Sequence, residues 1–214
     1  MRLSHFGHSC VLVEISGTRL LFDPGTFSTG FEDVRELDAI LITHQHPDHI
    51  DTAKLPSLVA ANPGARLVVD PGTAPTVAEL GCDHLVASAG EVVSVGTGEG
   101  VRLDVIGGEH ATIHPDIPIV DNIGYLVADG AFYHPGDAFA VPASGVDVLG
   151  LPTAAPWLKV SEAVDFLRAV APRVAVPIHE AVLAWPQMHY RLFGDLGPDG
   201  TQLRILEQRE ATEV

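Results

Sequence analysis

Short apolar blocks, many of them β-branched, recur along this chain between clusters of Gly, Pro, Asp and Ser, the pattern of strands separated by turns. Val11-Leu12-Val13-Glu14-Ile15 and Arg19-Leu20-Leu21-Phe22 flank Ser16-Gly17, which predicts strand, tight turn, strand. Asp23-Pro24-Gly25 ends that hairpin and opens a Gly-, Ser- and Thr-rich stretch to Phe31 with the composition of a surface loop. Asp38-Ala39-Ile40-Leu41-Ile42-Thr43 is short and nearly all apolar, as a strand buried on both faces should be. It delivers the chain to His44. Leu55, Leu58 and Val59 then recur at helical spacing, with Thr52 as a cap and Asn62-Pro63-Gly64 as a stop. Further strands are predicted at Leu67-Val69, Val92-Val95, Val101-Ile106, Ile123-Ala128 and Ala131-Tyr133, the last two joined through Asp129-Gly130. Val160, Ala163, Val164, Leu167 and Val170 mark an amphipathic helix that ends at Pro172, before a buried-strand run Val174-Ile178 that empties into His179. Strands predominate and helices interleave with them in both halves, which predicts an α/β (α+β) protein of two sheets with helices packed outside.

At 214 residues, 46% of them hydrophobic, the chain is long enough to bury one substantial core, and a single domain over 1–214 is expected. Twenty-eight acidic against twelve basic residues give a formal net charge of −16, a far field that repels nucleic acid and anionic membranes. Divalent cations bound in a cleft would reverse that field locally, so a small anionic substrate stays open. The N-terminus has no long apolar core with a cleavage site, and no apolar run approaches the roughly 20 residues that span a bilayer. A cytoplasmic protein is expected, with a homodimer as the prior for an enzyme of this size. Cys10 and Cys82 are too few and too far apart for a disulfide framework or a paired-cysteine metal site, and both read as reduced, buried thiols.

The chemistry concentrates in His44-Gln45-His46-Pro47-Asp48-His49, three imidazoles and a carboxylate in six residues at the end of a buried strand. A turn there can aim His44 and His46 at one point and Asp48 and His49 at another nearby, which suits two adjacent metals with a position left open for water. The bland alternative, a His-rich polar loop, would spend a costly residue on filler. On residues alone the later candidates are weaker. His110 sits in a Gly-rich segment, and Asp137 has the look of a turn aspartate. His179 gains from the rigid support of a strand end.

The cluster matches the H-x-H-x-D-H signature of the metallo-β-lactamase superfamily, and the chain resembles that family over nearly its whole length. His5-Phe6-Gly7-His8-Ser9-Cys10 and Leu21-Phe22-Asp23-Pro24 resemble the branch containing ascorbate-6-phosphate lactonase. Gly108-Glu109-His110, Asn122-Ile123-Gly124-Tyr125, Gly136-Asp137 and Ile178-His179 follow in the family's order. The resemblance implies a four-layer αββα sandwich of two similar halves with metals at one edge. It implies one metal held by His44, His46 and His110, a second by Asp48, His49 and His179, and Asp137 bridging both. Zinc is the default, with manganese or iron as alternatives. Two such ions would bring the pKa of a bound water toward roughly 7, giving hydroxide to attack an ester, lactone or phosphodiester bond. Asp48, His110 and Asp137 are the catalytic candidates, with Asp48 as general base a hypothesis beside its role as ligand.

His5, His8, His84, His114, His134 and His189 fall outside this set and read as structural or solvated, with His114 and His134 as the ones able to line the site. Asp23 resembles an aspartate that braces the metal loop. Trp157, Trp185, His189 and Tyr190 sit where aromatics could line a pocket, though core packing is their commoner use. Arg35, Lys54, Arg66, Arg102, Lys159, Arg168, Arg173 and Arg191 are dispersed, so no basic substrate cradle is legible. Three other readings compete: an RNA-processing endonuclease, which the acidity opposes; a flavin-coupled diiron protein, which would carry an acidic residue where His46 stands; and a metal-binding scaffold without catalysis.

Overall fold

The structure, a computed structural model, describes residues 1–98 and 100–214. Its first sheet contains β1 (Arg2–His5), β2 (Val11–Ile15), β3 (Thr18–Phe22), β4 (Ala39–Leu41), β5 (Arg66–Val69) and β6 (Leu85–Val86). Helices α1 (Leu55–Ala61) and α2 (Ala74–Glu79) belong to the same half. The second sheet contains β7 (Val92–Val95), β8 (Val101–Glu109), β9 (Asp121–Val127), β10 (Phe132–His134), β11 (Val148–Pro152), β12 (Val174–Ile178) and β13 (Gln202–Leu203). Helices α3 (Val160–Val170) and α4 (Gln187–Leu196) accompany it, and β14 (Thr212–Glu213) returns to pair with β1. Strand order is β14-β1-β2-β3-β4-β5-β6 in one sheet and β13-β12-β11-β10-β9-β8-β7 in the other.

Alternation along the central strands explains the layers. Leu20 and Phe22 of β3 face a cluster shared with Tyr125, Phe132, Val148 and Val176 of the other sheet. Leu21 faces the opposite way, toward Leu55 and Leu58 of α1 and Val77 of α2. On the far side Leu149 and Leu151 of β11 pack with Val164, Phe166 and Leu167 of α3 and Phe193 of α4. Both faces of each central strand are therefore apolar, which is why they read as continuous runs. Burying a side chain such as Phe22 contributes roughly 1.5–3 kcal/mol. The layers run helix, sheet, sheet, helix, the two-sheet arrangement expected from the sequence.

Several local expectations need adjustment. The cap of α1 is Lys54, not Thr52; Asp51 Oδ1 instead accepts the Ala53 and Lys54 amides at 3.0 and 3.2 Å, taking over the capping work one residue earlier. β8 runs on to Glu109, because pairing with β9 carries it through Gly107 and Gly108. Elements β1, α2, α4, β6, β11, β13 and β14 have no counterpart in the sequence reading. Gly150 and Pro152 interrupt β11, and the Asp70-Pro71-Gly72 run before α2 reads as a plain turn. Cys10 and Cys82 are free and buried, as expected. Among the described residues no helix is long and apolar enough to cross a membrane.

The topology fixes where chemistry can occur. β3, β4 and β5 are mutually parallel, as are β10, β11 and β12, so their C-terminal ends gather at one edge of the sandwich. Loops leaving such ends are where ligand sites of mostly parallel sheets form. Asp23, His44, Asp137 and His179 all follow these strands.

Candidate metal centre

Asp23 organises the first-half loop. Its buried carboxylate accepts the Thr43 amide and hydroxyl, both at 2.8 Å, and the His49 Nδ1–H at 2.7 Å. Because the Thr43 hydroxyl proton points to Asp23, its oxygen is free to accept from His44 Nδ1 at 3.1 Å. One carboxylate thus sets the tautomer of two histidines and leaves both Nε2 lone pairs facing inward. The brace expected of Asp23 is present. Gly25 makes the close packing possible, since a Cβ there would lie 1.9 Å from the Asp48 carbonyl oxygen.

The second half supplies single residues from separate strand ends. His110 donates Nδ1–H to the Ala111 carbonyl and His179 donates Nδ1–H to the Ala154 carbonyl, each at 2.5 Å, so their Nε2 atoms also carry lone pairs. Asp137 is held by its amide on Asn122 Oδ1 at 2.9 Å, and Trp157 Nε1–H donates to its Oδ2 at 2.7 Å. The turn requires Gly136, at φ +64°, where a Cβ would lie 2.2 Å from Asn122 Oδ1.

These atoms converge. His44, His46 and His110 form one group, His8, Asp48, His49 and His179 another, and His44, His49 and Asp137 a third between them; within each group the ligand atoms lie within 4.8 Å of one another. All seven residues singled out from the sequence come together. His49 Nε2 and His179 Nε2 are 3.2 Å apart, and each is 3.2 Å from Asp137 Oδ1. His110 Nε2 and Asp137 Oδ1 are buried without a hydrogen-bond partner. Lone pairs packed this closely, with their ring protons committed elsewhere, are stable only around cations. The donor set, imidazole nitrogen and carboxylate oxygen, fits divalent transition metals.

The electrostatics agree. Burial opposes charge on His49 and His179, but Asp137, with Asp23 for His49 and Asp48 for His179, outweighs it; His49 is pushed well up and His179 to about 9. Burial likewise opposes ionisation of Asp137 and Asp48, yet the facing histidines hold both carboxyls far below their usual range. Burial and neighbouring imidazoles push His44 and His46 down, leaving them neutral as ligands must be.

Two residues take roles in the centre beyond those expected of them. His8 was set aside as structural or solvated, but it is fully buried with Nε2 3.1 Å from Asp48 Oδ2. Its Nδ1 accepts the Ala181 amide at 3.3 Å, so the proton of the neutral ring sits on Nε2 and is donated to Asp48. Burial pushes its pKa down to about 4, which keeps the ring neutral. Trp157, read mainly as core, donates to Asp137. The signals were faint: a Gly-His-Ser run between strands and an isolated Trp. Of the two histidines considered able to line the site, His134 is buried on the Ser9 carbonyl at 3.0 Å, and His114 is exposed. Trp185 is exposed as well. His8, Asp23 and His179 all adopt left-handed φ, at 53°, 42° and 62°, a cost of roughly 1–2 kcal/mol each that concentrates at this edge.

Comparison with known proteins agrees with this architecture. The family described as beta-lactamase superfamily domain matches residues 2–179. Protein Rv0786c of Mycobacterium tuberculosis is 55% identical over 188 residues, 86% of each chain. A UPF0173 metal-dependent hydrolase of Opitutus terrae is 30% identical over the full length of both chains. Igni18, a metallo hydrolase from Ignicoccus hospitalis, superposes with a TM-score of 0.76 at 22% identity, covering 99% of this chain and 97% of that one. The chain belongs to the metallo-β-lactamase superfamily and, within it, to the UPF0173 family of metal-dependent hydrolases. These comparisons do not single out the ascorbate-6-phosphate lactonase branch.

Proposed function

We propose that this chain is a hydrolase holding two divalent metal ions, one on His44, His46 and His110, the other on Asp48, His49 and His179, with Asp137 shared. Its substrate is a small metabolite with an ester, lactone or phosphodiester bond. The observation that carries the reading is the crowd of inward Nε2 atoms of His44, His49, His110 and His179 around the Asp137 carboxylate, with the Nδ1 protons of these rings committed to Thr43, Asp23, Ala111 and Ala154. Zinc is the default ion for nitrogen and carboxylate ligands, with manganese and iron served by the same set.

When bound, such ions lower the pKa of a coordinated water toward about 7 and polarise the oxygen of the bond under attack. The chain supplies the rest. Asp23, through Thr43 and His49, fixes two rings in the ligand tautomer. Trp157 holds one oxygen of Asp137 and leaves the other to the centre. Asp48 is the candidate general base; it is partly exposed, and its carboxyl stays ionised through the neutral range. The net charge of −16 opposes the RNA-processing reading, which retention on a polyanion column would revive.

The test is metal content on protein purified without added metal, repeated for His46→Ala and Asp137→Ala, with a panel of esters, lactones and phosphodiesters. Two equivalents, falling in both variants, with turnover of at least one class, is the expected result. Metal unchanged by the substitutions would overturn the ligand set. Bound metal without any turnover would favour the scaffold. Activity in Asp48→Ala with both metals retained would remove Asp48 as base.

A further inference from the structure

Large apolar side chains lie in the open on the loops around this centre. Ile117 and Ile119, 47% and 54% exposed, sit on the loop after His110, and Phe27 sits edge-on to His8 with ring centroids 5.1 Å apart. Such exposure costs solubility unless something apolar covers it. A small cavity of about 70 Å³ touches His46 and His110 directly and is walled by Ile113, Ile117, Pro118 and Ile119. A second cavity of about 460 Å³ shares Ala111 and Ile113 with the first and is lined also by Phe139, Leu158 and the same Trp157 that bonds Asp137.

Charge points the same way. Among the described residues lining these two cavities the one cation is Lys159, and it pairs with Glu162 at 3.4 Å. Metals would take an anionic oxygen at the reacting bond, but a phosphate remote from that bond would find no fork of donors.

Resting on the hydrolase reading above, we propose that the part of the substrate away from the reacting bond is an uncharged aliphatic or aryl group seated against Ile113, Ile117 and Ile119, as in a medium-chain acyl ester. Hydrolysis of that ester breaks the acyl C–O bond, places the water oxygen on the acyl carbon, sends one proton to the leaving alcohol and releases the other to solvent. Phosphorylated sugar lactones are then poor substrates.

The test measures kcat/KM of the zinc-loaded protein on p-nitrophenyl acetate, butyrate, hexanoate and octanoate, beside a phosphorylated sugar lactone. Half-buried methylenes should each give about a twofold gain, about 60-fold from acetate to octanoate. The exposed double variant Ile117→Asp/Ile119→Asp, its fold checked by circular dichroism, should reduce that ratio about tenfold. A binding arm needs no turnover: in Trp185→Phe protein, 8-bromooctan-1-ol, its chain running from Ile117 and Ile119 past Ile113 into the cavity that Trp157 lines, should quench Trp157 saturably, and the isoleucine substitutions should weaken the effect. Saturable quenching without turnover of any ester, lactone or phosphodiester supports the pocket and refutes the hydrolase reading. A flat chain-length profile, preference for the phosphorylated lactone, or absence of saturable quenching overturns the proposal. So does binding to phosphatidylcholine vesicles in place of the bromoalkanol, which would make the apolar loops a membrane surface.

Discussion

His44, His46 and His110 bring three imidazoles together without a carboxylate of their own, whereas His8, Asp48, His49 and His179 gather around one that is held ionised. Each group has one half-buried member, Asp48 in the second and His46 in the first, and His46 borders a cavity. A cation at the second position meets the Asp48 carboxylate directly as well as Asp137; at the first it depends on Asp137 alone for negative charge. The two positions should therefore differ in affinity, and the shared carboxylate should matter most. Asp137→Ala is expected to lose both metal equivalents and to lower kcat/KM by about 10³-fold or more, corresponding to about 4 kcal/mol of transition-state stabilisation. Mass-spectrometric metal content alongside kinetics checks it.

His46→Ala sharpens the comparison. It removes a ligand from the first position only, so one equivalent should remain, and that equivalent should need a stronger chelator for removal than the one lost. Retention of both equivalents, or loss of both, would mean the positions are not independent in the way their charges suggest.

This asymmetry also governs how much the sequence disclosed. Ligand candidates contributed by the first half lie within six residues after a buried run, so local spacing alone exposes them. His110, Asp137 and His179 come from three strand ends and acquire meaning only when β8, β10 and β12 are brought to one edge. For these the family resemblance did what spacing could not. His8 escaped because its role depends on a left-handed turn between β1 and β2 and on an amide from Ala181, far away in the chain. The layers were legible because both faces of the central strands are apolar. The edge strands β6, β13 and β14, two residues each, carry too little pattern to read.

Asp23 touches no proposed metal, yet it serves both groups, His44 through Thr43 and His49 directly. Asp23→Ala should weaken metal binding by about 10- to 100-fold at both positions while leaving every ligand in place. A loss confined to the second position would show that the Thr43 relay to His44 contributes nothing.

Without metal, protons must serve as the cations, and stability then depends on pH. His179 has its pKa raised from 6.5 to about 9, and His49 is raised as well. The stability they contribute is complete below pH 6.5 and is lost as pH climbs toward 9. Asp48 and Asp137 are depressed, so their contribution is present above their unfolded pKa, near 3.8, and is lost as pH falls below it. Metal-free protein should lose Tm steadily from pH 6.5 to 9, and zinc-loaded protein should not, because the ions replace the protons. Parallel melting curves would refute the assignment of His49 and His179 to the ion.

The smallest expected effect separates two roles for His8. Its Nδ1 accepts the Ala181 amide and its Nε2–H is donated to Asp48, so it orients that carboxylate and offers the metal no lone pair. His8→Phe keeps an aromatic ring against Phe27 and His179 and deletes only the polar contacts. Affinity at the second position should fall about tenfold, the low end for removing a partner of a ligand, with the first position unchanged. In cobalt-substituted protein the visible absorption bands should keep their positions, because the ligands are the same. A shifted cobalt spectrum with complete loss of the second equivalent would instead mean that the ring turns its lone pair to the metal on binding, and the more strongly charged position would then hold four ligands of its own besides Asp137.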